Sequence, residues 1–307
     1  MQLRLTLAAA SADSTKSQEV FMNIAILTDT NSGIFPAEGQ AHGIHVLPMP
    51  VILDGKTYYE GVDLTAEAFY KHLEQGGQVS TSQPAPGDVL SLWEGLLADY
   101  DEVVYLPMSS GLSASCRSAI GLAEEFGGKV QVVDNHRISM TLRDAVYDAK
   151  ALADQGQSAA QIKQALEETA ADSMIFVGVE TLKYLKASGR VTPAGAALGA
   201  ALNLKPLLKI EGGRLDAYAK VRGMTKCKQK MLQAIQALAQ DYAAKGWPIT
   251  IGAADSHPDP AAGEAWTAQV AALFPGCDIQ YRPLPFSIGC HIGPGAFGLT
   301  VSRRLAR

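Results

Sequence analysis

The sequence predicts an α/β protein in two parts, with a largely parallel sheet in the first half and a mixed α+β arrangement in the second. Three observations predict it. From Met22 to Asp134, short apolar β-rich runs alternate with amphipathic stretches, the pattern of strand–helix–strand units. Beyond Ala171, paired strands mix with helices, including a hairpin pattern around Gly212-Gly213. The 307 residues are 47% hydrophobic and 19% charged, enough core for two domains or one large unit and too apolar for a disordered chain.

The elements follow in order. Ile24 to Leu27 reads as a buried strand ending at Thr28-Asp29-Thr30. Ile44 to Leu53 is β-rich but broken by Pro48 and Pro50, which predicts an edge hairpin. Thr65 caps a helix to Glu74 that Gly76-Gly77 stops. Next come a helix from Gly87 to Ala98, a strand from Val103 to Leu106, a helix from Ser113 to Phe126, and a strand from Val130 to Asp134. Ser158 and Gln161 form a capping box for a helix to Ala170. Met174 to Val179 is a strand, and Pro193 to Leu202 a helix of small residues. Leu207 to Ile210 and Arg214 to Ala219 pair as a hairpin, and Thr225 to Ala244 is a long helix. Ile249 to Ala253, a helix from Pro260 to Leu273, Ile279 to Pro283 and Leu299 to Ser302 complete the run.

The net charge of −5 excludes a broad basic face for nucleic acid. Cys116, Cys227, Cys277 and Cys290 lack C-x-x-C spacing, which argues against a zinc site or disulfide framework and fits a reducing, cytoplasmic compartment. No apolar run reaches the length of a membrane span. Residues 1–22 read as a disordered leader, since the apolar stretch after Arg4 is too short for a signal peptide.

Five segments carry candidate chemistry. Ser80-Thr81-Ser82-Gln83-Pro84 places three hydroxyls before a proline turn; local turn chemistry explains them as readily as a ligand. Ser109-Ser110-Gly111-Leu112-Ser113 follows an apolar strand and opens a helix, where free N–H groups suit an anion, or where Ser110 or Ser113 serves as an N-cap. Gly289 to Gly298 contains a literal G-x-G-x-x-G, but only nine residues follow it, which rules out a dinucleotide site. It reads as a glycine-rich turn with His291 at its entrance, a ligand group or a structural histidine. Arg190 and Arg222 each stand beside a glycine, where a guanidinium can reach a carboxylate or phosphate or simply be solvated. Lys226, Lys228 and Lys230 follow Arg222 as a local basic edge.

Taken in order, these segments resemble the DegV family. The resemblance rests on Thr28-Asp29-Thr30, Ser80 to Pro84, Ser109 to Ser113, Asp134, Leu185 to Val191, Lys205-Pro206, Lys220-Val221-Arg222 and Gly289 to Gly298, and it runs from Met22 to the C-terminus. It implies a Rossmann-like parallel-sheet domain over residues 23–171 and an α+β domain over 172–307, with a fatty-acid tunnel between them. It also implies a bound long-chain fatty acid such as palmitate, no cofactor, and a role as the acyl-carrying subunit of bacterial fatty acid kinase. In that system a separate kinase subunit phosphorylates the bound carboxylate to an acyl-phosphate, a step in phospholipid metabolism. The family pattern places head-group binding on Thr81 and Ser113, with Ser82, Ser110, His291 and Arg190 around them, and the kinase contact near Arg222. Burying a chain of ~16 carbons at ~0.8 kcal/mol per CH₂ provides roughly 12 kcal/mol, and the carboxylate at its end then requires hydrogen bonds. The chain departs from the pattern at Ser80 (usually Thr), at Ala254-Asp255-Ser256-His257 (usually containing a His-Ala pair), at Cys290 (usually a small residue) and in the leader.

Two other readings compete. A serine hydrolase would use Ser110 or Ser113 with His291 and Asp29 or Asp134, but the nucleophile-elbow glycines are missing. A phosphosugar or nucleotide binder at residues 109–113 lacks the P-loop lysine.

Overall fold

Short, largely apolar strands build three sheets, and their ends meet around one cavity. The structure is a computed structural model and describes residues 22–197, 204–277 and 279–305. Strand β1 (Ile24–Asp29) is buried at all six positions, as a central parallel strand requires. Helix α1 (Pro36–Ala41) leads to β2 (Ile44–Leu47), which pairs parallel to β1. Strands β3 (Pro50–Leu53) and β4 (Lys56–Tyr59), helix α2 (Ala66–Glu74) and β5 (Val79–Thr81) follow. Thr65 caps α2 through a bond from the Ala68 N–H at 3.3 Å. Then come α3 (Pro86–Asp99), β6 (Glu102–Leu106), α4 (Ser115–Ala123), β7 (Val130–Val132), α5 (Ser139–Asp154) and α6 (Ala159–Glu168). The first sheet is parallel throughout, in the order β2-β1-β6-β7.

The expected hairpin over Ile44 to Leu53 does not form. Pro48 separates two strands that join different sheets: β2 is an edge of the parallel sheet, and β3 is the centre of an antiparallel sheet ordered β4-β3-β5. Helix α5 has no counterpart in the sequence reading. It is buried nearly all round, including Thr141, Arg143, Asp144 and Asp148, so no apolar stripe marks it.

The second half comprises β8 (Ser173–Gly178), α7 (Lys183–Ser188), α8 (Pro193–Ala196), β9 (Leu204–Glu211), β10 (Arg214–Arg222), α9 (Met224–Ala244), β11 (Ile249–Asp255), α10 (Pro260–Leu273), β12 (Ile279–Pro283), α11 (Phe286–Ile292) and β13 (Phe297–Arg303). The strands form a mixed sheet ordered β10-β9-β8-β13-β11-β12, in which β11 and β12 run parallel and the other pairs antiparallel. Of the small-residue helix expected to Leu202, Pro193–Ala196 is helical; residues 198–203, like residues 1–21 of the leader, lie outside the described residues. Phe176, Leu299, Val301 and Ile251 pack beneath α9 and α10 on one face of this sheet. The other face turns toward the first half. The chain finally returns there, with Leu305 against the first core and Arg304 bonded to Asp148 of α5 at 2.9 Å. No helix among the described residues is long and apolar enough to cross a membrane.

Candidate functional site

The cavity lies at the carboxyl ends of the parallel strands. The strand order reverses between β1 and β6, and an open α/β sheet leaves a crevice at such a point. Asn31 after β1, Met49 after β2, Met108 after β6 and Ser139 after β7 all line it. Asp29 fixes this rim: one carboxylate oxygen accepts from the Asn31 backbone and side-chain N–H groups at 2.9 Å, and the other from the Met108 N–H at 3.0 Å. Burial pushes the Asp29 carboxyl up to about 6 despite those bonds.

The opposite wall follows from strand periodicity. Ile175 and Val177 of β8 face the cavity while Phe176 between them enters the core beneath α9. Ile210, Leu215, Ile288 and Ile292 extend the apolar lining. The enclosed volume is about 450 Å³, large enough for a small organic molecule.

Polar groups gather along part of this lining. Thr81, Ser82 and Gln83 come from the end of β5, Ser113 from the turn before α4, Arg190 from the segment after α7, and His291 from the last turn of α11. Thr81 Oγ1 and His291 Nε2 are 2.9 Å apart. Burial, with the Arg190 charge nearby, pulls His291 down to about 4, so the imidazole is neutral at pH 7. Its Nδ1 is buried without a hydrogen-bond partner among the described residues. A neutral imidazole has one N–H. If Nε2 donates to Thr81, the threonine proton is uncommitted; if Thr81 donates, Nδ1–H is. Ser113 Oγ accepts from the Ser115 N–H at 3.2 Å and the Ser115 hydroxyl at 3.0 Å, which leaves its own proton uncommitted as well. Thr81, Ser113 and His291 therefore offer two uncommitted donors and no carboxylate, the chemistry of an anion site at the end of an apolar cavity.

Several expectations are corrected here. Thr81 ends a strand, paired with Val51, ahead of the Pro84 turn, so turn chemistry does not account for its hydroxyl. Neither Ser110 nor Ser113 caps a helix: α4 starts at Ser115 behind Ala114, and residues 109–113 form a turn closed by the Leu112 and Ser113 N–H groups on Ser109 O. Ser110 stands outside the cavity lining, with its N–H on Asp134 at 3.2 Å and its carbonyl on Arg117. His291 belongs to a helix, not a turn, because Pro285 starts α11 and the glycine run begins only at Gly293. Arg222 is exposed at the end of β10, away from the cavity. Lys228 does not share an edge with Lys226 and Lys230; its ammonium lies 3.3 Å from the Phe297 ring centroid. Gly111 has a steric role, since a Cβ there would stand 2.3 Å from Gly213 O, where the β9–β10 turn packs on the serine-rich turn.

Sequence reasoning missed Asn31 and Ser287. The Ser287 hydroxyl donates to Asn31 Oδ1 at 2.8 Å, and both residues line the cavity. Ser287 lies one helical turn before His291, so reading 286–292 as a helix would have put them on one face.

A family model described as "Uncharacterised protein, DegV family" matches residues 23–304. The chain belongs to the DegV family. A DegV domain-containing protein of Deinococcus radiodurans is 34% identical over 283 residues, which cover 91% of this chain and 98% of the relative. Among solved structures, the DegV family protein of Thermus thermophilus described for its fatty acid binding superposes with a TM-score of 0.83 at 32% identity, covering 92% of this chain and all of that one. DegV of Bacillus subtilis, described as a fatty acid binding protein, gives 0.79 at 27% identity over 92% of this chain and all of that one.

The hydrolase reading has no support in this DegV family member. His291 contacts a threonine, and no carboxylate orients it among the described residues. Asp29 is occupied by backbone and amide donors, and Asp134 by the Ser110 N–H and by His136 Nδ1 at 3.3 Å.

Proposed function

We propose that this DegV family member is a carrier, without catalysis of its own, that binds one long-chain fatty acid and presents its carboxylate to a fatty acid kinase subunit. The observation that carries the reading is the pairing of an apolar cavity of about 450 Å³ with a neutral hydrogen-bonding cluster of Thr81, Ser113 and His291. The two solved relatives described as binding fatty acids support it. The aliphatic chain occupies the apolar lining between the domains at 23–171 and 172–307. The carboxylate meets Thr81, Ser113 and His291, with Ser82 and Arg190 at the rim. Thr81, Ser113 and His291 donate to the carboxylate as neutral groups, and the Arg190 charge at the rim favours its ionised form.

Native mass spectrometry followed by denaturing lipid extraction is expected to find one fatty acid per chain. Lipid-free protein that takes up no acid of ~14–18 carbons, the usual acyl range, would sink the reading.

The kinase arm has its own test. Arg222→Ala is expected to leave fatty-acid affinity unchanged and to reduce acyl-phosphate formation with a cognate kinase subunit. The motivation is an exposed arginine outside the cavity lining, suited to a partner surface or a phosphoryl group. Loss of lipid binding in this variant, or undiminished transfer, would remove Arg222 from the contact.

A further inference from the structure

Helix α11 carries Ser287, Ile288, His291 and Ile292 to the cavity. It has only seven residues, and its N-cap is Pro285, whose side chain accepts no hydrogen bond. A distant side chain does the capping. Glu60 Oε1 accepts the Phe286 N–H at 2.7 Å, and the Ser287 N–H faces the same carboxyl.

Glu60 is 2% exposed and sits in the tight turn between β4 and α2. That turn is closed by the Val62 and Asp63 N–H groups on Tyr59 O and by the Tyr59 N–H on Asp63 Oδ1 at 2.5 Å. Gly61, at φ +76°, packs it against Phe35. The anchor is therefore tied within its own turn, which follows β4 of the three-stranded sheet, whereas α11 precedes β13 of the mixed sheet.

We propose that Glu60 is a positioning residue for the head-group site: it holds the start of α11 so that His291 meets Thr81. This rests on the reading of Thr81 and His291 as head-group ligands. Other contacts hold the same helix, among them three that reach its side chains along its length. Phe286 stacks on Phe69 at 4.7 Å, Ser287 bonds Asn31, and His291 bonds Thr81. His291 lies five residues beyond the capped amide, about 7.5 Å along the axis, so a tilt at the start carries through to the imidazole.

The ionisable groups facing Glu60 are Tyr70 from α2 and Cys290 from α11; Asp255 of β11 and Tyr281 of β12 face Tyr70 from behind. None is a cation, and burial raises the Glu60 carboxyl to about 8. Near neutral pH it is mostly a protonated acid, for which glutamine is the close replacement.

NMR titration of the His291 imidazole in wild type, Glu60→Gln and Glu60→Leu tests the proposal. Wild type and Glu60→Gln are expected to titrate near 4, because the glutamine carbonyl keeps the Phe286 bond. Glu60→Leu is expected to move His291 toward the ordinary 6.5 and to weaken fatty-acid affinity by about tenfold, the scale of a lost cap. An unmoved His291 in Glu60→Leu overturns the proposal. The imidazole readout needs no ligand, so it separates a failure of positioning from a failure of the fatty-acid reading. If Glu60→Leu does not fold, Glu60→Asp takes its place: the shorter side chain draws the carboxyl back from the Phe286 N–H, so His291 is expected to move toward 6.5 while Glu60→Gln stays near 4, and an unmoved His291 overturns the proposal.

Discussion

Thr81→Val is expected to weaken fatty-acid binding by about 1–3 kcal/mol, the cost of leaving a buried polar group short of a partner. The change keeps the shape and removes the hydroxyl that meets His291 Nε2 at 2.9 Å. It leaves both ring nitrogens of His291 without a protein partner, since Nδ1 has none already. Ser113→Ala removes the other uncommitted donor and is expected to cost a similar amount. The double variant is expected to lose less than the sum, because both donors serve one carboxylate. Titration of a fluorescent fatty acid against the three variants decides the matter. Wild-type affinity in both single variants would reduce the cluster to local structure and move the head group elsewhere in the cavity.

Glu60→Gln is expected to gain stability relative to wild type as pH rises from 4.5 toward 8. The Glu60 carboxyl is raised from 4.5 to about 8 by burial, so the folded state binds a proton that the unfolded state has released. Wild-type stability therefore falls as pH rises from 4.5 toward 8, while glutamine has nothing to titrate. The pH-dependent part of the difference is about 3 kcal/mol at pH 7, from ~2.5 pH units at 1.36 kcal/mol each, and it vanishes below pH 4.5. His291 acts in the opposite sense: its folded value is lowered, so its contribution is present above 6.5 and lost as pH falls toward 4. That contribution, like those of Asp29 and Asp144, both raised to about 6, is common to wild type and variant and cancels in their difference. Urea unfolding at pH 4.5, 7 and 8.5 is the measurement. A difference that does not change with pH would show that Glu60 is not protonated by burial.

Much of the fold was legible because its signals are local. The capping residues Thr65 and Ser158, the glycines after Phe126 and the apolar run of β8 each act within a few residues, and their elements stand where they were expected. The order of hydroxyl, glycine and arginine segments likewise sufficed to place the chain in the DegV family and to pick out Thr81, Ser113, Ser82, Arg190 and His291, which all line one cavity.

What the tertiary structure alone decided depends on partners far away in sequence. Nothing near Pro48 says that β2 and β3 join different sheets, because strand pairing is a choice among distant edges. Helix α5 hides its period because its polar residues are buried against groups from other elements, as when Arg143 pairs with Glu38 and Asp148 with Arg304. The head-group cluster exists only because β5 and α11, 210 residues apart at Thr81 and His291, are packed together. Glu60 is the extreme case: as a sequence position it is one acidic residue in a turn, and only the fold brings it to the unsatisfied amides of a helix 226 residues away. Sequence determines which groups can donate, accept or avoid water. Which of them meet is settled by burial, since a hydrogen bond worth little in solvent becomes obligatory once both partners lose their water.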